Sequence, residues 1–216
     1  MIIERLASRV AARSWLTWLA LILIFLASAA LVLLAPAEAT IGQGIRIVYI
    51  HVALIWSGML LLLVAGLSGL LVLRAGPSPL AQWMQNVALV GTLFFAAGVI
   101  TSLAAEIVNW GGIAWREPRT AANLNLLAVA VIVQVVNSWL ARARWRATLN
   151  ALLAAAVVWT TVTTEVQLHP DNAVGDATSS GIQLAFYGLT VLCLLAAGWL
   201  ILAIRGRQTA GRQPSA

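Results

Sequence analysis

Six apolar runs of about 20 residues follow one another along this chain, at 15–35, 47–73, 83–105, 121–140, 147–166 and 182–204. Runs of that length fold in lipid rather than in water. At 1.5 Å rise per residue, about 20 residues cross a hydrocarbon core of about 30 Å. Inside that core only helices and closed barrels satisfy their own backbone groups. The expected fold class is therefore all-α: a polytopic integral membrane protein with six transmembrane helices. The chain is 62% hydrophobic and 9% charged, against about half and about a quarter for a soluble domain. The second run is long enough to tilt or to project beyond the bilayer.

This pattern divides the chain into a basic N-terminus over 1–14, a six-helix membrane domain over 15–205 and a disordered tail over 206–216. Arg5, Arg9 and Arg13 before the first run, with Ala35-Pro36-Ala37 and Ala37-Glu38-Ala39 after it, also fit a cleaved signal peptide. A signal h-region has roughly 7–15 residues. The run here has about 21, which favours a retained span.

Arginine placement sets the orientation. Ten of the 13 basic residues lie at one set of ends: Arg5, Arg9, Arg13, Arg74, Arg142, Arg144, Arg146, Arg205, Arg207 and Arg212. The opposite loops hold Arg46, Arg116 and Arg119 with Glu38, Glu106, Glu117, Glu165, Asp171 and Asp176. Both termini are therefore expected in the cytoplasm, with outer loops near 36–46, 106–120 and 165–181. The net charge of +6 reflects this anchoring and does not call for nucleic acid. The single cysteine, Cys193, lies in an apolar run, so neither a disulfide framework nor CxxC chemistry is expected.

The two histidines, His51 and His169, both fall on the outer side. Neutral imidazole is a common metal ligand, and haem iron takes one or two axial histidines. A histidine at a membrane interface also reads as a polar tip near headgroups, and this alternative stays open. A protein-only zinc site lacks a third histidine. The three outer arginines run against the positive-inside bias. Arginine forks bind carboxylates bidentately, so Arg46, Arg116 and Arg119 are candidates for the two haem propionates. The competing readings are pairing with Glu38 or Glu117, and interface snorkelling.

The second outer loop reads Asn109-Trp110-Gly111-Gly112-Ile113-Ala114-Trp115-Arg116-Glu117-Pro118-Arg119-Thr120. Trp110 and Trp115 offer flat apolar faces on a flexible backbone, suited to a large planar ligand. They also fit the aromatic belt of any membrane interface, to which Trp15, Trp18, Trp139 and Trp145 belong. Thr120 is a candidate cap for the fourth span. Ala75-Gly76-Pro77-Ser78-Pro79 reads as a turn and Arg142 to Arg146 as a basic hinge. Ala65, Gly66 and Gly69 allow close helix packing. No ionisable group lies in mid-span, which argues against an ion-coupled carrier. No nucleophile has a base beside it.

Arg46-Ile47-Val48-Tyr49-Ile50-His51-Val52, followed by Ile55-Trp56-Ser57, resembles the opening of the second span in the haem exporter protein C family, CcmC, of cytochrome c maturation. By this resemblance His51 matches the first haem-ligand histidine. Trp110 and Gly111 match the start of the family's tryptophan-rich motif, Glu117 stands at its aspartate and Arg119 at its arginine. Arg116 stands where the family has a tryptophan, and Trp115 is displaced by one position. His169 falls in the loop where the family has its second histidine. The resemblance implies haem b held transiently between His51 and His169, on the outer face of the bacterial cytoplasmic membrane. It further implies delivery to the periplasmic haem chaperone CcmE, with the ABC transporter subunits CcmA and CcmB as partners in the bilayer. A membrane cytochrome b anchor and a haem-free permease or partner subunit remain the alternatives.

Overall fold

The computed structural model describes residues 2–76, 78–165 and 179–211, and the described residues form helices with no strand. In chain order these are α1 (Ile2–Ala12), α2 (Ser14–Leu34), α3 (Ile45–Ala75), α4 (Leu80–Trp110), α5 (Pro118–Trp139), α6 (Ala143–Thr163) and α7 (Ser180–Ala210). Five of them, α2, α3, α4, α5 and α7, are long and apolar enough to cross a membrane. The chain is thus an α-helical, membrane-embedded protein. α6 has comparable length but is more polar, because Arg144, Arg146, Thr148 and Asn150 occupy its first two turns.

The helices outrun the expected spans at both ends. α3, α4 and α7 have 31 residues each, or about 46 Å at 1.5 Å per residue, so their last turns project beyond the hydrocarbon. The Gly76 N–H donates to the Val72 carbonyl at 3.0 Å and ends α3. Pro118 opens α5, where a missing N–H costs nothing. The α5–α6 break falls at Leu140–Arg142. Arg144 and Arg146 are therefore helical, and only the start of the expected basic hinge is a hinge. α7 continues to Ala210, past the expected start of the tail at 206.

Lipid tails are as apolar as leucine, so helices here associate by close packing rather than by the hydrophobic effect. α3 is the centre. Against α4 it runs antiparallel along a seam of glycines. A Cβ added at Gly98 would lie 2.7 Å from the Ile55 nitrogen, and one at Gly58 would lie 2.7 Å from the Phe95 Cα. Against α6 the contact is made by Gly66, which faces Ala154 and the Asn150 carbonyl, and by Gly69, whose added Cβ would lie 2.6 Å from the Ala147 carbonyl oxygen. The expected packing role of Ala65, Gly66 and Gly69 is borne out. α7 packs Ile182, Ala185, Phe186 and Leu189 on Ile45, Tyr49 and Ala53 of α3 and on Val32 of α2.

The basic N-terminus is itself a helix, which the division of the sequence did not anticipate. α1 buries Ala7 and Val10 and lies on the end of α7, where Gly206 leaves room for the Ala7 carbonyl and Ala11. Glu4 accepts from Arg205 Nη2 at 2.8 Å and from Trp83 Nε1 at 3.1 Å. Arg205 also donates to Gln82 and stacks over the Trp83 ring at 5.7 Å. The Arg205 hydrogen bond holds the Glu4 carboxyl below its ordinary range. A depressed carboxyl contributes stability above its unfolded value and loses it as pH falls through the folded one. Protection of the α1 amides, relative to their intrinsic exchange at each pH, is therefore expected to fall below about pH 4 while α3 and α4 stay protected. Glu4→Gln should abolish that acid transition and leave α1 less protected at neutral pH. An unchanged acid profile in the variant would count against the pair as the α1 latch.

Candidate functional site

The outer-loop residues gather at the end of the bundle where α3 begins and α4 ends. The first loop is closed by its own acid. Glu38 Oε2 accepts the N–H groups of Thr40 at 2.7 Å and Ile41 at 2.9 Å, and Glu38 pairs with Gly42 through backbone hydrogen bonds. The Ile41 and Thr40 amides hold the Glu38 carboxyl below its ordinary range. Glu38 is therefore spent on its own loop, not on Arg46. Arg46 Nη2 instead donates to the Leu33 carbonyl at 2.9 Å, one of the carbonyls left open at the end of α2. The Arg46 Nε is buried without a partner, so only the outer part of the fork is left for an anionic ligand.

The second loop is organised by Glu106, one of the outer-side acids. Its side chain is 1% exposed. Oε2 accepts the Ala114 N–H at 2.8 Å and Oε1 accepts the Thr120 hydroxyl at 2.6 Å. One carboxylate thus ties the end of α4, the loop and the start of α5. The signal was present in the sequence: an acid among apolar residues at a helix end needs buried donors. Thr120 is not the cap of α5; its hydroxyl is committed to Glu106, and Glu117 occupies the N-cap position. Glu117 is also 1% exposed, with its N–H donating to the Ala114 carbonyl at 2.9 Å and its own carbonyl accepting from Ala121 at 3.2 Å.

Gly111 sits at φ 75° and ends α4, its N–H donating to the Ile107 carbonyl at 3.0 Å. That left-handed conformation strains any residue with a Cβ. Gly111 therefore has a purely structural reason to follow Trp110. Trp110 is 46% and Trp115 67% exposed, so both rings present faces outside the bundle. Arg116 is exposed and Arg119 half-buried. Neither forms an ion pair with an acid among the described residues, which leaves both guanidinium groups available.

The two loops are joined. Asn109 Nδ2 donates to the Ala105 carbonyl at 2.9 Å and reaches the Gly44 carbonyl at 3.4 Å. The side chain occupies the space where a Cβ at Gly44 would stand, 3.0 Å from Asn109 Cγ. The same register, Gly44 with Asn109, Ile55 with Gly98 and Gly58 with Phe95, puts His51 opposite Ser102 on the α3–α4 seam. His51 is 7% exposed and lies about two turns along α3 from Gly44. The structure thus places His51, Arg46, Trp110, Gly111, Trp115, Arg116, Glu117 and Arg119 at one end of the molecule. His169 lies outside the described residues. An imidazole, free arginine forks and exposed indole faces match in kind the iron, propionates and macrocycle of haem.

No protein-family model matches the chain, and no curated protein matches it.

Proposed function

We propose that the protein handles haem at the outer face of the bacterial cytoplasmic membrane, binding it transiently and passing it to a periplasmic chaperone of the CcmE kind beside CcmA and CcmB. The observation that supports this reading is the Asn109–Gly44 junction, which couples the helix carrying His51 to the loop carrying Trp110 and Trp115. Haem is cargo here, not a resident cofactor. His51 offers the axial nitrogen, with His169 as its proposed partner. Arg116 and Arg119 offer charge for the propionates, and Trp115 an apolar face. The imidazole is buried, so the site must open for iron to reach it, which weakens the apparent affinity and suits a cargo that has to be passed on.

In this reading α6 is the sixth crossing. Its seam with α3 through Gly66 and Gly69 supports a place inside the bundle despite its polar first turns. An even number of crossings returns both termini to one side, and the ten arginines at that side make it the cytoplasm.

The test is an absorption spectrum of the purified protein after haem loading, wild type beside His51→Ala. A ligand-type Soret band in the wild type is expected, with occupancy lowered at least about tenfold in the variant, the effect of losing about 1.4 kcal/mol or more of binding. Equal bands and equal release rates in the two proteins would overturn the proposal.

A further inference from the structure

At the end of the bundle opposite the tryptophan loop, α1 presents a charged face that the haem reading does not use. Ala7 and Val10 turn inward against α7, and Arg5 and Arg9 emerge on the opposite side, both exposed. Arg13, also exposed, follows one turn later at the junction with α2. Spacing of four residues puts Arg5 and Arg9 about 6 Å apart along one face of α1, and Arg13 extends the row at the non-helical junction. Among the described residues none of them pairs with an acid. The acid within their own helix, Glu4, is already held by Arg205 and Trp83. The described residues therefore leave the positive charge of this row unneutralised.

The depth of the row is fixed by its neighbours. Trp15 and Trp18, both exposed, stand in the first two turns of α2, and Trp139 and Trp145, also exposed, flank the α5–α6 break. Tryptophans in such positions mark the headgroup level. α1 directly precedes Trp15, so it lies in that layer and not in bulk water. Ile3 and Leu6 are exposed along one flank of the arginine row, the arrangement of a helix lying in the interface plane.

We propose that the Arg5–Arg9–Arg13 face of α1 is a docking surface for anionic phospholipid headgroups. Guanidinium forks donate to two phosphate oxygens each, and the leaflet charge attracts basic side chains at this level. Ile3 and Leu6 enter the boundary between headgroups and acyl chains. The Glu4–Arg205 pair and the Gly206 contact hold α1 flat so that all three arginines face phosphate together. An acidic soluble protein is the other occupant such a row admits, but the flanking apolar residues and the tryptophan level favour lipid.

The experiment uses the full-length protein in neutral detergent. Short-chain phosphatidylglycerol or phosphatidylcholine is titrated in, and retained lipid is counted by native mass spectrometry. Phosphatidylglycerol should bind more tightly than phosphatidylcholine, with an affinity that falls as salt rises. Each lost arginine should cost about fivefold, so Arg5→Gln with Arg9→Gln should weaken phosphatidylglycerol about 25-fold. Arg5→Lys with Arg9→Lys, which keeps the charge and the topology signal, should stay within a few-fold of wild type. Arg142→Gln with Arg144→Gln removes equal charge at the same level and should have a much smaller effect. Equal affinity of the wild type for the two lipids would overturn the proposal, and so would equal losses in the two glutamine variants. If the Arg5 and Arg9 glutamine variant does not fold, the wild-type lipid preference and its salt dependence still decide. Haem spectra do not enter this test, so its failure is separate from failure of the haem reading.

Discussion

Gly58→Ala should lower the stability of the reconstituted protein by about 3 kcal/mol, while Gly198→Ala should leave it unchanged or raise it by up to about 1 kcal/mol. Both glycines lie inside long helices, and alanine is the better helix former at each. Space decides the sign. A Cβ at Gly58 would lie 2.7 Å from both Cα and Cβ of Phe95, whereas nothing lies within 4 Å of one at Gly198. Phe95 is fully buried, and its backbone belongs to α4, so relief requires the two helices to part. Parting them also loosens Ile55 from Gly98 and His51 from its place opposite Ser102. Denaturation of protein in mixed micelles, followed by circular dichroism, measures both variants against wild type. The same sign for the two substitutions would mean that the seam is not as close as the glycines allow.

That seam also shows where the sequence was informative. Ala65, Gly66 and Gly69 stand out as small residues close together; Gly66 and Gly69 do contact a neighbour, α6, and Ala65 is buried beside them. Gly58, Gly91 and Gly98 form the seam between α3 and α4, yet they are scattered over two helices. Their meaning depends on an antiparallel register that neither helix specifies alone. Span positions were legible because about 20 apolar residues in a row have one solution in lipid. Span ends were not, because projecting turns are held by partners distant in sequence. Arg205 ends one apolar run as an apparent anchor, but it is buried against Glu4 from the other end of the chain. At the candidate site, residue types were legible and their duties were not. Arg46 is partly committed to α2, Gly111 to a helix end, and Thr120 to Glu106 rather than to a cap.

Glu106 carries the second large expected effect. Glu106→Leu should remove about 3 kcal/mol from the folding of the outer loop, the sum of a buried hydroxyl and a half-buried amide losing a charged acceptor at about 1–3 kcal/mol each. The donors are the Ala114 N–H and the Thr120 hydroxyl, and the site admits almost no water to replace the carboxylate. By the tenfold-per-1.4 kcal/mol rule, exchange of the Ala114 amide should accelerate about 100-fold. Glu106→Gln keeps one carbonyl acceptor and should recover about half of that loss. Thr120→Ala removes one donor and leaves the Ala114 bond in place, so its effect on this amide should be the smallest of the three. Hydrogen exchange read at Ala114 orders the variants, and equal protection in all three would show that the loop is held by other contacts. Under the haem proposal the consequence extends to the ligand. A released loop takes Trp115, Arg116 and Arg119 away from the helix that carries His51, so Glu106→Leu should shorten haem residence while leaving an axial histidine in place. His51→Ala, by contrast, removes the ligand and leaves the loop ordered. Spectral type and release rate thus separate the residue that would bind iron from the residue that shapes the wall beside it.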